Sequence, residues 1–208
     1  MKVIIFGTTG TIGRHLIEQA QGQPYEMTAF VRNPEKLAKY QATNLKIIQG
    51  DVFDYTTVEK AIQGQDIVIC VLGGSGKSKV RSKGTQYIIE AMEATGVKRL
   101  ICQTTLGAGE SRENLNFFWR DIMFGFFLKR VYKDHQLQEK LVKGSNLDWT
   151  IVRPSGFTNG VLTKNYQENF APAVKNLKFQ IARADVAHFL LRQIKDDHYL
   201  QQAVSISH

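Results

Sequence analysis

Cysteine, proline and long apolar runs are all scarce in this chain of 208 residues, and each scarcity excludes something. The two cysteines, Cys70 and Cys102, sit inside apolar runs. They read as small buried hydrophobes of a reducing compartment, not as a disulfide framework. No apolar stretch reaches the roughly 18 residues a membrane helix needs. Met1-Lys2 leads straight into a β-like run, without the basic and cleavable segments of a signal peptide. A cytoplasmic protein with no membrane partner is therefore expected. There are four prolines and no Pro/Gly-rich linker, repeat or low-complexity tract, so 1–208 reads as a single domain. That length buries a core without help from metal or disulfide, and no metal site is expected.

Charge and periodicity supply the positive signals. The 27 Lys and Arg outnumber the 19 Asp and Glu, a formal +8 that favours anionic ligands. No recognition motif accompanies that charge, so a nucleic-acid partner is not expected. Short β-branched runs at Val3–Phe6, Glu26–Val31, Leu45–Ile48, Ile67–Val71, Arg99–Cys102 and Trp149–Val152 alternate with stretches long enough for crossover helices. Ala184-Asp185 opens a last helix, Val186–Ile194. The expected fold class is α/β, a doubly wound parallel sheet of Rossmann type in the order 3-2-1-4-5, which makes the strands bearing Cys70 and Cys102 neighbours. A cap built from the loops after the later strands completes the domain.

Gly7-Thr-Thr9-Gly10-Thr11-Ile12-Gly13 follows the first strand and opens a helix, Arg14–Ala20. In that context Gly7 permits a tight turn, Gly10 lets backbone approach a pyrophosphate, and Gly13 lets helix pack on strand, while the helix N-terminus faces the anion. Gly76-Lys77-Ser78 mimics the end of a P-loop, but the position that needs glycine is Val71, inside a strand. After the second strand comes Arg32, with Lys36 a turn beyond, where an NAD site carries an acidic residue. A planar cationic fork suits a 2′-phosphate, so NADP(H) is the expected cofactor. Asp51 and Val52 after the third strand suit the adenine edge, with a turn-capping role for Asp51 as the alternative, and Leu72 and Gly73 after the fourth would lie beside a ribose.

The glycine motif, Val31-Arg32-Asn33-Pro34, Gly50-Asp51-Val52, Gly64-Gln-Asp66-Ile-Val-Ile and Asp148-Trp-Thr-Ile-Val-Arg-Pro154 together resemble the atypical short-chain dehydrogenases of the NAD(P)-binding, NmrA-like group. Asp134-His135 and Asp185-Val-Ala-His-Phe-Leu-Leu-Arg192 are similar to its biliverdin reductase B/flavin reductase branch. Ordinary short-chain dehydrogenases carry a Tyr with a Lys four residues on; here Tyr132 is followed at that spacing by Gln136, and no other tyrosine has the lysine. Alcohol dehydrogenation and sugar epimerisation are disfavoured. The resemblance implies NADPH-dependent reduction of a flat conjugated acceptor, a flavin first and a bilin second. An extended π-system takes hydride when it is stacked at the right distance, without a strong acid.

By the same resemblance Thr104 and Thr105, after the fifth strand, stand where the family has its active-site Ser/Thr. Thr104 is assigned to the cofactor and Thr105 to catalysis. His135 is a second catalytic candidate, able to titrate near neutrality and relay a proton. Pro154 and Ser155 are placed with the cofactor, whereas Phe157, Phe118, Trp119 and Lys77 are candidates to wall and neutralise the acceptor. Where biliverdin reductase B relatives have a His after the sixth strand, this chain reads Arg153-Pro154-Ser155-Gly156-Phe157, which favours flavin over bilin. FMN is the expected substrate flavin and a monomer the favoured state. The alternative is a non-catalytic, NADP(H)-sensing regulator that binds a partner protein.

Overall fold

Apolar residues at consecutive rather than alternate positions mark the central strands. Lys2–Phe6 (β1) buries Val3, Ile4, Ile5 and Phe6 completely, which requires cover on both faces of the sheet. The computed structural model, which describes residues 1–40, 45–74, 79–115, 126, 128–170, 174 and 177–208, supplies it. After β1 come α1 (Thr11–Ala20), β2 (Glu26–Val31), β3 (Leu45–Gln49), α2 (Tyr55–Ile62), β4 (Ile67–Cys70), α3 (Val80–Thr95) and β5 (Arg99–Gln103). Then follow α4 (Lys129–Lys143), β6 (Asp148–Pro154), β7 (Gly156–Thr158), β8 (Gln167–Glu168), β9 (Gln180–Ala182), α5 (Arg183–Arg192) and β10 (Gln202–Ser207).

The main sheet runs β3-β2-β1-β4-β5-β6-β10-β8 and is parallel except for β8, which pairs antiparallel with β10. Alternate side chains divide the core into two layers. Val3, Ile5, Ile69 and Val152 pack beneath α1 and α5, whereas Ile4, Phe6, Val68, Leu100 and Ile151 pack beneath α2, α3 and α4. Cys70 and Cys102 are register partners on β4 and β5, both buried as free thiols. The expected doubly wound sheet and its strand order are present.

Strand ends differ from the sequence reading by one or two residues, and larger differences lie in the helices and at the last strand. α1 begins at Thr11 rather than Arg14, because Gly10 is the extended residue that caps it and the rest of the glycine motif is already helical. α5 starts three residues before Val186 and ends at Arg192. The chain's last strand, β10, was not foreseen: its short alternation places Val204 and Ile206 in the core and buries Ser205 and Ser207 as well. β7 and β9 form a small parallel pair beside the main sheet, and with β8 they make up the cap. Among the described residues no helix is long and apolar enough to cross a membrane.

Candidate active site

The loop between β1 and α1 is shaped by two glycines with no room for a side chain. Gly7 has φ +98°, and a Cβ there would lie 2.4 Å from the Val71 carbonyl oxygen. A Cβ on Gly13 would lie 2.4 Å from the Gly7 carbonyl oxygen, so the helix rests directly on the turn. No side chain caps α1 and no acidic residue occupies its first turn, which leaves its positive end to an external anion.

This loop opens into a cleft of about 540 Å³ at the carboxyl ends of the strands, astride the switch point between β1 and β4. Gly7, Thr9, Gly10, Thr11 and Ile12 line it, and so do Arg32, Asp51, Val52, Leu72, Gly73, Thr104, Thr105, His135, Pro154, Ser155 and Phe157. Gly13 lies beneath the loop instead. Lys36 is exposed in the single turn Pro34–Leu37 and does not line the cleft, because Asn33 caps that turn and carries it away from the strand end. Asp51 accepts a hydrogen bond from the Phe53 N–H at 3.0 Å, so it caps a turn as well as facing the cleft. Lys77, Phe118 and Trp119 lie outside the described residues.

Several buried polar atoms around the cleft have no partner among the described residues: Gln103 Oε1, His135 Nδ1, Ser155 Oγ and Arg81 Nε. Unpaired buried groups cost free energy, and a ligand rich in polar groups would satisfy them. Together with the glycine cradle they fit a dinucleotide. Among the described residues no group of three or more His, Cys, Asp and Glu side chains is placed to hold a metal ion.

Helix α4 decides the chemistry of the other wall. The face it turns to the cleft carries Leu128 at its cap, Val131 and His135. Tyr132 lies off that face, buried, and donates its hydroxyl to the Gly107 carbonyl at 2.8 Å. The pair spaced by four residues that lines the cleft is therefore Val131 and His135, one residue before the Tyr132 and Gln136 pairing that the sequence suggested. Neither a phenol nor an ammonium group stands there.

His135 itself corrects an expectation. Burial, reinforced by the nearby Arg81 cation, pushes its pKa down to about 3, so it is neutral at physiological pH and does not titrate near neutrality. Its neighbour Asp134 reaches across to α3. That helix has no side-chain cap of its own, and Asp134 accepts from the N–H groups of Arg81 (3.3 Å) and Ser82 (3.1 Å) and from the Ser82 hydroxyl. One helix thus caps another and fixes the wall of the cleft.

Thr104 lines the cleft and at the same time gives its hydroxyl proton to the protein. Its hydroxyl donates to Glu139 Oε1 at 2.7 Å, and Glu139 also receives Arg153 Nε at 2.9 Å and Nη2 at 2.6 Å. Arg153 is 1% exposed and Glu139 3%. Glu110 completes the cluster, its carboxyl lowered to about 2 chiefly by its hydrogen bonds to Arg153. Thr105 is half-buried with its hydroxyl donating to the Leu106 carbonyl at 3.2 Å. Arg81 belongs to the basic run Lys77–Lys83 that the sequence offers to a flavin phosphate or bilin propionates, and it lines the cleft; Gln103, Phe53 and Phe179 line it too and were missed. Gln103 adjoins Thr104 and could have been found, whereas Phe179 comes from a distant loop with no local signal.

A glycine loop on a helix N-terminus, at the switch point of a doubly wound sheet, defines a dinucleotide-binding protein. Residues 7–197 match the family model described as NAD(P)H-binding, and the chain belongs to this family of atypical, NmrA-like short-chain dehydrogenases, whose character is that of oxidoreductases. A protein of Bacillus subtilis (strain 168) named as the uncharacterized sugar epimerase YhfK is 27% identical over 216 residues, covering 100% of this chain and 94% of its own length. The oxidoreductase ylbE from Lactococcus lactis superposes with a TM-score of 0.85 at 27% identity, over 99% of this chain and 90% of that one. ChuY, an anaerobillin reductase from Escherichia coli O157:H7, gives a TM-score of 0.81 at 24% identity, over 99% of this chain and 96% of that one, a likeness of fold.

Proposed function

We propose that the protein is an NADPH-dependent reductase of a flat conjugated acceptor, with a flavin such as FMN or riboflavin as the first choice and a biliverdin-type tetrapyrrole as the second. The observation that carries this reading is the face of α4: Val131 and neutral His135 meet the cleft where an alcohol dehydrogenase needs a phenol and an ammonium group. A conjugated acceptor needs no such pair, because the hydride enters an extended π-system.

In this reading Gly7, Gly10 and the N-terminus of α1 hold the pyrophosphate, and Arg32, exposed at the end of β2, takes the 2′-phosphate. The bound nicotinamide supplies the hydride. Leu115, Leu128, Val131, Phe157 and Phe179 exclude water and hold the acceptor flat, which brings donor and acceptor to reacting distance. His135 offers an uncharged hydrogen-bonding group, and solvent provides the proton. The resemblance to the biliverdin reductase B/flavin reductase branch supports the same acceptor class. The name given to the Bacillus relative points elsewhere, but an epimerase would need an acid–base pair, and the described face of α4 offers Val131 and His135 in its place.

The same α4 face favours one other reading, a sensor that binds NADP(H) and a partner protein without turnover. Oxidation of NADPH by the purified protein, followed by loss of nicotinamide absorbance with FMN, FAD, riboflavin and biliverdin in turn, separates the two. The reductase reading expects saturable turnover with at least one of them and weaker use of NADH. Tight NADPH binding with no turnover on any acceptor would replace it with the sensor.

A further inference from the structure

Two cations line the cleft among the described residues, and the sheet order puts them in different halves. Arg32 follows β2, on the adenine side of the switch point. Arg81 stands in the first turn of α3, after β4, in the half that the reductase reading gives to the nicotinamide and the acceptor. The glycine loop with the N-terminus of α1 provides for the pyrophosphate, and Arg32 for the 2′-phosphate, so the cofactor's anionic groups are matched without Arg81.

Arg81 is also poorly neutralised by the protein. Its side chain is 12% exposed, and the carboxylate that pairs with it among the described residues, Asp134, stands 3.9 Å from Nη1. That carboxylate is already engaged by the two N–H groups and the hydroxyl at the start of α3. Nη1 donates to the Gly74 carbonyl at 3.1 Å, and Nε is buried with no partner among the described residues. Next to it is His135, 6% exposed and neutral, whose Nδ1 has no partner within hydrogen-bond distance among the described residues. A guanidinium so far withdrawn from water, with one donor unused and a second unpaired polar group beside it, is an incomplete site whose missing member is an oxyanion.

We propose that Arg81, assisted by His135, is an anion-binding subsite that anchors a phosphate monoester or carboxylate of the acceptor at the nicotinamide end of the cleft. The inference rests on the reductase reading and sharpens it. The acceptor is an anionic conjugated molecule, FMN rather than riboflavin if the group is a phosphate, or a bilin with free propionates if it is a carboxylate. Arg81 acts here in binding and orientation, and fixes which acceptors are chosen.

The test is equilibrium binding of FMN, riboflavin, biliverdin and biliverdin dimethyl ester to the full-length protein loaded with NADP⁺, so that no turnover intervenes. It is done for the wild type, Arg81→Met and Arg81→Lys. Methionine keeps the apolar stem and the backbone N–H that Asp134 accepts, and thermal melting checks that each variant is folded. Wild type should bind at least one charged member about tenfold or more tighter than its neutral counterpart. Arg81→Met should erase that gap and Arg81→Lys restore part of it, as a point charge without the planar fork does. A gap for the flavins alone identifies phosphate, and a gap for the bilins alone identifies carboxylate. No gap in the wild type, a gap that survives Arg81→Met, or a loss of affinity in Arg81→Met that falls on NADPH instead would overturn the proposal. The steady-state assay distinguishes its failure from that of the reductase reading. Equal turnover of FMN and riboflavin leaves the reductase standing without the subsite, whereas Arg81-dependent binding with no turnover leaves the subsite without the reductase.

Discussion

His135 and Arg32 turn the account into numbers at the scale of single residues. The His135 pKa is near 6.5 in an unfolded chain and about 3 when folded. A depressed value means that its contribution to stability is fully present above the unfolded pKa and is lost as pH falls toward the folded one. Between about pH 6 and 4 the unfolded state binds one more proton at this site, a slope of about 1.4 kcal/mol per pH unit. Denaturant unfolding across that range should show this slope, and His135→Gln should remove about one proton from it. Identical slopes in the two proteins would mean that the imidazole is not held neutral. At Arg32 the contact at issue is charge-assisted, worth roughly 1.5–3 kcal/mol. Arg32→Ala should therefore raise the KM for NADPH about tenfold or more with little change for NADH. Equal effects on both cofactors would remove the 2′-phosphate assignment.

At the scale of elements, β6, α4 and the short 3₁₀ turn Gly109–Asn114 are joined through Arg153, Glu139 and Glu110. Removing one partner of a buried pair strands the other charge, at a cost of about 3–5 kcal/mol. Arg153→Met should lower stability by that amount in chemical denaturation, with the double variant Arg153→Met/Glu139→Leu recovering part of it. A single variant as stable as wild type would show that the cluster is not a structural tie. The elements also explain what was legible in the sequence. β1 and β4 were readable because strands covered on both faces become unbroken apolar runs, and Gly7 and Gly13 because only glycine fits their backbone contacts. The cleft-facing side of α4 was not readable. Its buried face carries Asp134, His135, Gln138 and Glu139, so hydrophobic periodicity gives no signal, and the helix's rotation is fixed by Asp134 capping α3 and by Arg153 beneath Glu139. Tyr132 therefore looked like the family tyrosine although it packs outside the cleft. Arg81 was legible only as one of several basic residues in the run Lys77–Lys83, and it takes the fold to show that its side chain is withdrawn from water.

Over the whole molecule, the order β3-β2-β1-β4-β5-β6 divides the cleft into a half on the β2 side, with Arg32 and Asp51, which the proposed reading gives to the adenine, and a half holding Arg81, Gln103, Thr105 and His135. In the reductase reading hydride crosses in the second half from NADPH to a conjugated acceptor without a protein acid. The most direct test is a single turnover under anaerobic conditions, mixing the NADPH-loaded protein with FMN and following both chromophores. Nicotinamide oxidation and flavin bleaching should proceed with one rate constant, which slows when the transferred hydrogen at C4 of NADPH is deuterium. His135→Gln should leave the pH profile of that step without a new ionisation between about pH 6 and 8. NADPH that stays bound and unoxidised beside the flavin, or bleaching that is insensitive to deuterium and to NADPH occupancy, would contradict that reading.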